Sequence, residues 1–457
     1  MKQYFGTDGI RGIPNKNLTK EIISNVACSV EDILKPTSVA VILDTRSSSL
    51  EILDWICEGF SENIEVVNYG VLPSGSMPVL LNSFGHNLGV IISASHNPNE
   101  YNGIKLINKN GSKLQDDIEV EIESNIKNIS LPIAHTSYKE SQDGYQVYFE
   151  FLNELIDFDL TNFDLVVDSA NGSAYKTIDE LLKINSCKFK MIANEPNGEN
   201  INLNSGATNT NNLINKLKKG QIGVAFDGDA DRLIMIDENG NACNGDILIL
   251  LIAKYLSSTN QLNNDVVVST VMSNFGFKNS MEKNNFKNVE TAVGDKYVAE
   301  AMSENNASIG GEQSGHIIIS DKLPVGDGLL TLIYSLKSLS FFKTTLSQFR
   351  EDNIKEYPQK LVNVELNKMP DTEQLAELEL IAEKLFESEE LDGRYLIRNS
   401  GTEPLLRVLV EASDEVSVEK FSNNLVNKIK NMTVSTGKIV KKPRLPIHDS
   451  HPRFTIL

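Results

Sequence analysis

Ile222-Gly223-Val224-Ala225-Phe226 runs without a break into Asp227-Gly228-Asp229-Ala230-Asp231-Arg232. The first five residues are apolar and read as a buried strand. The next six alternate three carboxylates with small residues and close on an arginine, at the carboxyl end of that strand. Like charges so closely spaced repel, and a divalent cation that prefers hard oxygen ligands, magnesium or calcium, would neutralise them. Three readings stand side by side here. A calcium loop would use Asp227, Asp229 and Asp231 at its first, third and fifth positions and Glu238 at its twelfth. It needs glycine where Arg232 stands, and helices where the flanks read as strands. A solvated acidic turn is the second reading and a catalytic cation site the third.

Outward from this stretch, β-prone apolar runs recur at 38–43, 88–92, 164–167, 222–226, 265–269 and 307–309. Helical patterns at 50–60, 177–183, 247–256 and 328–339 lie between them. This alternation predicts α/β units with largely parallel sheets. Several strands end in polar, glycine-bearing loops, and open α/β sheets bind ligands at the carboxyl ends of their strands. After about residue 355 the pattern changes to a strand at 361–366, a helix at 371–387, strands at 395–398 and 405–411 around a tight polar turn, and a helix at 416–429. This predicts a small α+β domain, with its boundary near Tyr357-Pro358. The stretch 438–457 is basic and proline-bearing, and reads as an extended tail.

A chain of 457 residues is long enough for several domains. With 43 Lys and Arg against 62 Asp and Glu, its net charge of −19 argues against non-specific binding to nucleic acid or anionic membrane. A phosphorylated substrate would need local cations to overcome that field. Met1-Lys2-Gln3-Tyr4-Phe5 has no signal-peptide core, and the apolar run 247–253 is too short to span a bilayer. Cys28, Cys57, Cys187 and Cys243 show neither metal nor redox spacing and read as free thiols of a reducing compartment.

Four further motifs carry chemistry. Ser93-Ala94-Ser95-His96-Asn97-Pro98 follows the strand at 88–92. A serine on such a loop can be a nucleophile or carry a phosphoryl group, with His96 beside it as a hydrogen-bond donor; a capped turn is the plain alternative. The nucleophile-elbow pattern of Ser-His-Asp hydrolases is absent. Lys105, in Asn102-Gly103-Ile104-Lys105, supplies a nearby cation for proton transfer or phosphate binding. Gly310-Gly311-Glu312-Gln313-Ser314-Gly315-His316 sets polar groups between glycines, which let a backbone approach a ligand closely. Glu312 and Ser314 can both face one ligand and accept from sugar hydroxyls, though a turn explains the stretch equally well. Arg398-Asn399-Ser400-Gly401-Thr402-Glu403-Pro404-Leu405-Leu406-Arg407 flanks hydroxyls and exposed amides with two arginines, a donor set suited to phosphate. A solvated hairpin is its alternative. Gly6-Thr7-Asp8-Gly9-Ile10-Arg11-Gly12 is another glycine-spaced loop with one arginine.

These five motifs, in this order and over this length, resemble the α-D-phosphohexomutase superfamily, from about Phe5 to about Ala412. The glutamine at Gln313 and the Gly401-Thr402-Glu403 signature look most like its phosphoglucosamine mutase branch. The resemblance implies three α/β domains with mixed, largely parallel sheets plus a C-terminal α+β domain, around a central active-site cleft. It divides the chain into a phosphoserine-loop domain at 1–150, a metal-binding domain at 151–248, a sugar-recognition domain at 249–355 and a phosphate-binding domain at 356–437, before a basic tail at 438–457. It implies reversible interconversion of glucosamine 6-phosphate and glucosamine 1-phosphate through a phosphoserine and a 1,6-bisphosphate. Phosphomannomutase or phosphoglucomutase activity is the alternative within the superfamily, and a non-catalytic sugar-phosphate-binding homologue the alternative from another class.

By the same resemblance Ser95 is the phosphoserine, and Asp227, Asp229 and Asp231, with an oxygen of that phosphoserine, hold one Mg²⁺. Arg11, Lys105 and Arg232 surround the transferring group, with Lys105 the candidate general acid/base and His96 beside the phosphoserine. Glu312, Ser314 and His316 read the sugar. Arg398, Ser400, Gly401, Thr402 and Arg407 hold the phosphate that is not reacting. A hexosamine 1,6-bisphosphate acts as activator, the partner is a small phosphosugar, the setting is cytoplasmic, and a homodimer is the family-level expectation. Six cations (Arg11, Lys105, Arg232, Lys296, Arg398 and Arg407) would then offset the acidic background. The chain departs from the family pattern at Lys296, where arginine is common and the bidentate fork is lost. It departs also at 43–48, which lacks the usual glycine and basic residue, and at 73–78 and 323–328.

Overall fold

The computed structural model describes residues 2–126, 129–365, 370–399 and 405–435. The chain divides into two compact units, one holding residues up to Ser273 together with Met281–Asn353, the other holding Asn274–Ser280 and the described residues from Ile354 to Ser435.

The first unit contains three sheets. The six-stranded sheet runs in the order Ile10–Gly12, Asn102–Asn108, Leu88–Ile92, Ser38–Leu43, Glu65–Val71, Tyr138–Glu140. Its strands from Leu88–Ile92 onward pair parallel, while the first two pairings are antiparallel. Parallel strands need both faces covered. Along Ser38–Leu43, accordingly, Val39, Val41 and Leu43 enter one core cluster, and Ala40 and Ile42 enter another on the opposite face. Trp55, Ile52 and Ile56 of the helix Ser49–Gly59 join the first cluster; Met77, Leu80 and Leu81 of Ser76–Phe84 join the second.

The second sheet has the order Ala242–Cys243, Leu233–Ile236, Ile222–Phe226, Asp164–Asp168, Lys188–Ile192. Ile222–Phe226 is wholly buried and pairs antiparallel with Leu233–Ile236, Phe226 opposite Leu233. The aspartate run is therefore the six-residue connection of a hairpin, with strands on both sides. Gly228 in it faces the neighbouring sheet so closely that a Cβ would lie 2.6 Å from the Ser95 carbonyl oxygen, and Gly172 packs against Gly228 in turn. Any side chain at Gly228 would push the Ser95 loop away.

The third sheet runs Lys287–Thr291, Val266–Thr270, Ile309–Gly311, Ile317–Ile319. Here the sequence expectation of a strand at 307–309 followed by a loop shifts by two residues. Gly310 and Gly311 are strand, opposite Ile318 and Ile317. Composition suggested a loop, but Met302 and Val268 pack where a Cβ on Gly310 would lie. Asp265, read as the start of a strand, has φ 51 and closes a short 3-10 turn instead.

The second unit is a three-stranded antiparallel sheet, Gln359–Glu365, Leu405–Ala412, Gly393–Asn399, with the helices Thr372–Ser388 and Glu415–Ser435. Leu406, Val408 and Val410 meet Phe421, Leu425 and Ile429 in its core. Asp371 and Gln374 form a reciprocal capping box that starts the first helix. Within this unit Asn274 donates to the Tyr357 carbonyl (2.9 Å) and accepts from the Tyr357 amide (2.9 Å). Among the described residues no helix is long and apolar enough to cross a membrane, and Cys28, Cys57, Cys187 and Cys243 form no disulfide.

Candidate active site

Strand Leu88–Ile92 ends at Ser93, and the chain turns sharply through Ser95, whose φ of 50 is unusual for a residue other than glycine. Ser95 is fully buried, and its Oγ donates to Asp227 Oδ2 at 2.6 Å, across 132 residues of sequence. Ser93 Oγ is already committed: it donates to Asp44 Oδ2 (2.6 Å) and accepts from the Ser95 amide (2.9 Å). The arginine of the 43–48 segment, Arg46, lies under the same loop and donates to three of its carbonyls.

Asp227, Asp229 and Asp231 are buried, and one carboxylate oxygen of each lies within 4.8 Å of the others. Asp229 Oδ2 accepts from Lys105 Nζ (2.8 Å) and Ser74 Oγ (2.8 Å), and Asp231 Oδ2 accepts from Lys105 Nζ (3.0 Å). The other oxygens, Asp229 Oδ1 and Asp231 Oδ1, are buried without a partner. Buried oxygens are rarely left unpaired, and two of them beside a third carboxylate and a serine hydroxyl are a donor set for a hard divalent cation. The calcium-loop reading fails on geometry. Glu238, its twelfth position, instead accepts from the Leu346 and Ser347 amides at 3.1 and 2.8 Å and caps the helix Leu346–Asn353. Burial, then Asp231 and Asp229, push the Asp227 carboxyl well above the usual range. Burial opposes ionisation of Asp231 too, but Lys105 and its neighbours prevail and hold it low.

Ser74 makes a second contact, its amide donating to the Asp229 carbonyl at 2.8 Å. With Oδ2 saturated by Ser74 and Lys105, Oδ1 is the oxygen left for a cation. Ser74→Ala is expected to weaken divalent-cation binding by roughly 10- to 100-fold, the range for groups that orient a metal ligand. Calorimetric titration of the purified protein with Mg²⁺ measures this, and an unchanged affinity would remove Ser74 from the site.

Lys105 is buried among Asp229, Asp231 and Asp8, the last at 2.9 Å. Burial works against its charge, but the three carboxylates raise its pKa well above the ordinary value. Asp8 also receives Arg11 and Lys113, and Lys113 reaches on to Asp295. Asp295 in turn lies 3.4 Å from His316 Nε2. A chain of alternating charges thus runs from Lys105 through Asp8 and Lys113 to Asp295, with His316 beside its last member. A cavity of about 630 Å³ lies beside it, its lining including Lys105, Lys113, Asp231, Asp295 and His316. Asp8 and Lys113 were missed in the sequence; the glycine-spaced loop was read for Arg11 alone. Lys296, counted there as a cation of the cleft, lines the same cavity and also bonds Asp116 at 2.5 Å.

Arg11 Nη1 donates to Asn97 Oδ1 (3.3 Å), and the Arg232 amide donates to Asp227 Oδ1 (3.2 Å). Arg11 Nε and Arg232 Nε are buried donors with no partner. His96 Nδ1 lies 3.2 Å from Ser95 Oγ. Burial, with Arg232 and Arg11 nearby, pushes its pKa down to about 3. In the metal-free, unphosphorylated protein the His96 ring proton signals are expected to stay flat between about pH 5 and 8. A midpoint near 6.5 in NMR titration would show that the ring is solvated.

Glu312 Oε1 accepts from the Gly294 amide (3.0 Å), and Ser314 Oγ lies 3.5 Å from Glu312 Oε2. His316 Nδ1 is buried and unpartnered. In the second unit Arg398 stands directly opposite Arg407 across two antiparallel strands. Burial, then the Arg407 charge, lowers the Arg398 pKa, and Arg407 Nε has no partner. Ser400, Gly401, Thr402, Glu403 and Pro404 lie outside the described residues, as does the tail at 438–457.

Comparison with known proteins agrees with this geometry. Family models for phosphoglucomutase/phosphomannomutase match in chain order: domain I at residues 2–132, domain II at 146–240, domain III at 244–357 and the C-terminal domain at 361–428. A phosphoglucosamine mutase of Clostridium kluyveri is 40% identical over 94% of this chain and 99% of its own length. One of Lactobacillus gasseri is 39% identical over 92% and 97%. Among solved structures, a phosphoglucomutase/phosphomannomutase family protein of Burkholderia thailandensis superposes with a TM-score of 0.77 at 22% identity, covering 95% of this chain and 98% of that one. An N-acetylphosphoglucosamine mutase of Aspergillus fumigatus, solved with GlcNAc-6P and magnesium, gives 0.67 at 18% identity, over 94% and 96%. With a buried serine on a carboxylate triad and all four domain models matched in order, the chain belongs to the phosphoglucomutase/phosphomannomutase family, whose members are isomerases that move a phosphoryl group on a sugar.

Proposed function

We propose that this protein interconverts glucosamine 6-phosphate and glucosamine 1-phosphate through a phosphoserine at Ser95 and a glucosamine 1,6-bisphosphate intermediate. The observation that carries the reading is the Ser95 hydroxyl held 2.6 Å from Asp227, beside two buried carboxylate oxygens that have no hydrogen-bond partner. The amino sugar follows from the name the Clostridium and Lactobacillus relatives share and from the Gln313 and Gly401-Thr402-Glu403 signatures.

In the first transfer a sugar hydroxyl attacks the phosphoserine. The Ser95 Oγ–phosphorus bond breaks as the sugar oxygen–phosphorus bond forms; Lys105 gives a proton to the departing Ser95 Oγ, and the proton lost by the sugar hydroxyl restores Lys105. The bisphosphate then turns end for end, and Ser95 Oγ takes back the phosphoryl group from the other position. Such a reaction depends on positioning and charge neutralisation more than on covalent chemistry. Asp227, Asp229 and Asp231 are the residues that would hold Mg²⁺, which when bound supplies positive charge against the phosphoserine. The unpartnered Nε donors of Arg11 and Arg232 are suited to the oxygens of the transferring group. We assign Lys105 as the acid/base. It enters the cycle as the acid, because three carboxylates keep it protonated. His96 stays neutral and donates or accepts at Ser95 Oγ.

Glu312, Ser314 and His316 are assigned to the sugar, and Arg398 and Arg407, with Ser400, Gly401 and Thr402, to the distal phosphate. Two guanidinium groups facing each other across a sheet repel unless an anion lies between them. We further assign the domains to 1–150, 151–248, 249–355 and 356–437, the priming of Ser95 to a hexosamine 1,6-bisphosphate, and the enzyme to the cytoplasm. A coupled assay with glucosamine, glucose and mannose phosphates side by side tests the sugar. Glucosamine is expected to win by about tenfold or more in kcat/KM, and a comparable preference for glucose or mannose overturns the assignment while leaving the mutase.

A further inference from the structure

We propose that Arg46 is a positioning residue that holds the Ser95 loop in its reactive shape; this rests on the reading of Ser95 as the nucleophile. The Arg46 and Asp44 side chains are both fully buried and form an ion pair at 2.9 Å. A buried guanidinium costs several kcal/mol unless its donors are met. Here they are met almost entirely by one loop. Nη2 donates to the Ser95 carbonyl (3.0 Å) and the Asn97 carbonyl (2.8 Å), and Nη1 donates to the Pro98 carbonyl (2.5 Å). Nε donates to Asp44 Oδ2, the oxygen that also receives Ser93 Oγ. Ser93 Oγ in turn accepts the Ser95 amide. Arg46 therefore reaches both ends of Ser95, its carbonyl directly and its amide through Asp44 and Ser93.

What is being held is a backbone that would not stay there unaided. Ser95 has φ 50, a left-handed conformation that is disfavoured for a residue with a side chain. The orientation of the Ser95 peptide decides where Oγ points, and it now points at Asp227. One other side chain grips the same carbonyls: Asn202 Nδ2 donates to those of Ser95 (2.8 Å) and Asn97 (3.0 Å). Lysine at position 46 keeps the charge but cannot reach three carbonyls and a carboxylate in one plane. In-line phosphoryl transfer suffers about 100-fold from a displacement on the order of 1 Å.

The test compares Arg46→Lys, Arg46→Met and Asn202→Gly with the unmutated protein. Asn202 has φ 59, which glycine accepts, and its removal leaves the buried ion pair untouched. Four quantities are read: steady-state kcat, KM, the single-turnover rate of Ser95 phosphorylation by glucose 1,6-bisphosphate, and Mg²⁺ affinity. The Arg46 variants are expected to lose about 100-fold in kcat and in phosphorylation rate, and Asn202→Gly about tenfold. KM and Mg²⁺ affinity should stay within about threefold, because neither the sugar contacts nor the aspartates are altered. A kcat within about threefold of the original in a folded Arg46 variant overturns the proposal. So does a fall in kcat and Mg²⁺ affinity together with a rise in KM, which is the mark of general collapse. If neither Arg46 variant folds, Asn202→Gly decides, and unchanged phosphorylation there overturns it. Ser95 that takes up no phosphate in the unmutated protein would instead defeat the nucleophile reading itself.

Discussion

Ser95→Ala is expected to lower turnover of sugar phosphate by at least roughly 10⁴-fold, the scale seen when a nucleophile is removed. The protein should stay folded. Alanine at φ 50 bears the same backbone strain that serine already bears, and Oγ makes no contact in the apolar core. Sugar-phosphate binding should persist, since the groups assigned to the sugar and the distal phosphate are untouched. Intact-mass analysis after incubation with glucose 1,6-bisphosphate is the companion measurement. The unmutated protein gains a phosphate and the variant does not. Turnover within about tenfold of normal, or phosphate mapped to Ser93, would refute the assignment. The structure gives a reason to expect neither, because Ser93 Oγ lies between Asp44 and the Ser95 amide.

Lys105→Met should be the second severe change, and it acts on stability as well as rate. The side chain is 3% exposed and is the shared partner of Asp8, Asp229 and Asp231. Removing one member of a buried ionic cluster costs about 3–5 kcal/mol, because the remaining charges lose their counter-ion. Denaturant unfolding of the metal-free protein at neutral pH measures this. Activity should fall by about 10²–10⁴-fold, the usual contribution of a general acid/base. The stability loss has a definite pH dependence. Against the pull of burial, the folded Asp8 and Asp231 carboxyls are depressed by Lys105 and other cations, so their stabilisation is present above the unfolded carboxylate pKa of about 3.9 and fades as pH falls through the lower folded values. The gap between variant and parent should therefore narrow in acid. An equal gap at neutral and acidic pH would mean that Lys105 contributes packing rather than charge.

The two changes probe parts of the molecule that were unequally readable in the sequence. Local patterns carried far. The run 222–226 announced a strand because it is apolar throughout, as its complete burial requires, and the aspartates announced a candidate cation site because they put three like charges within six residues. The Ser95 loop showed itself through the strand before it and Pro98 after it. What could not be read was partnership across the chain. Asp8 sits in a glycine-rich turn that would suit any aspartate, and only the fold brings Lys105 and Lys113 to it. Arg46 was invisible for the same reason, since its carbonyl partners are 49 to 52 residues away. Lys296 was legible in part, since it does line the cavity. A lysine's charge is plain in the sequence, but its pairing with Asp116 is set 180 residues earlier in the chain. Gly310 and Gly311 misled because glycine signals a loop by composition, while close packing of Met302 gives it a place in a strand.

The bond from Ser95 to Asp227 also has a consequence for how the protein is made. Its two ends are 132 residues apart, so at ribosomal speeds of 5–20 residues per second the serine emerges on the order of ten seconds before its aspartate. Arg46, Asp44 and Ser93 all precede Ser95 or lie next to it, and can shape the loop during that interval. Asn202, Asp227 and the cation seat arrive only with the second sheet. A nascent chain thus carries a formed but unarmed loop, and chains released early, short of residue 227, should fold their first sheet without ever accepting phosphate.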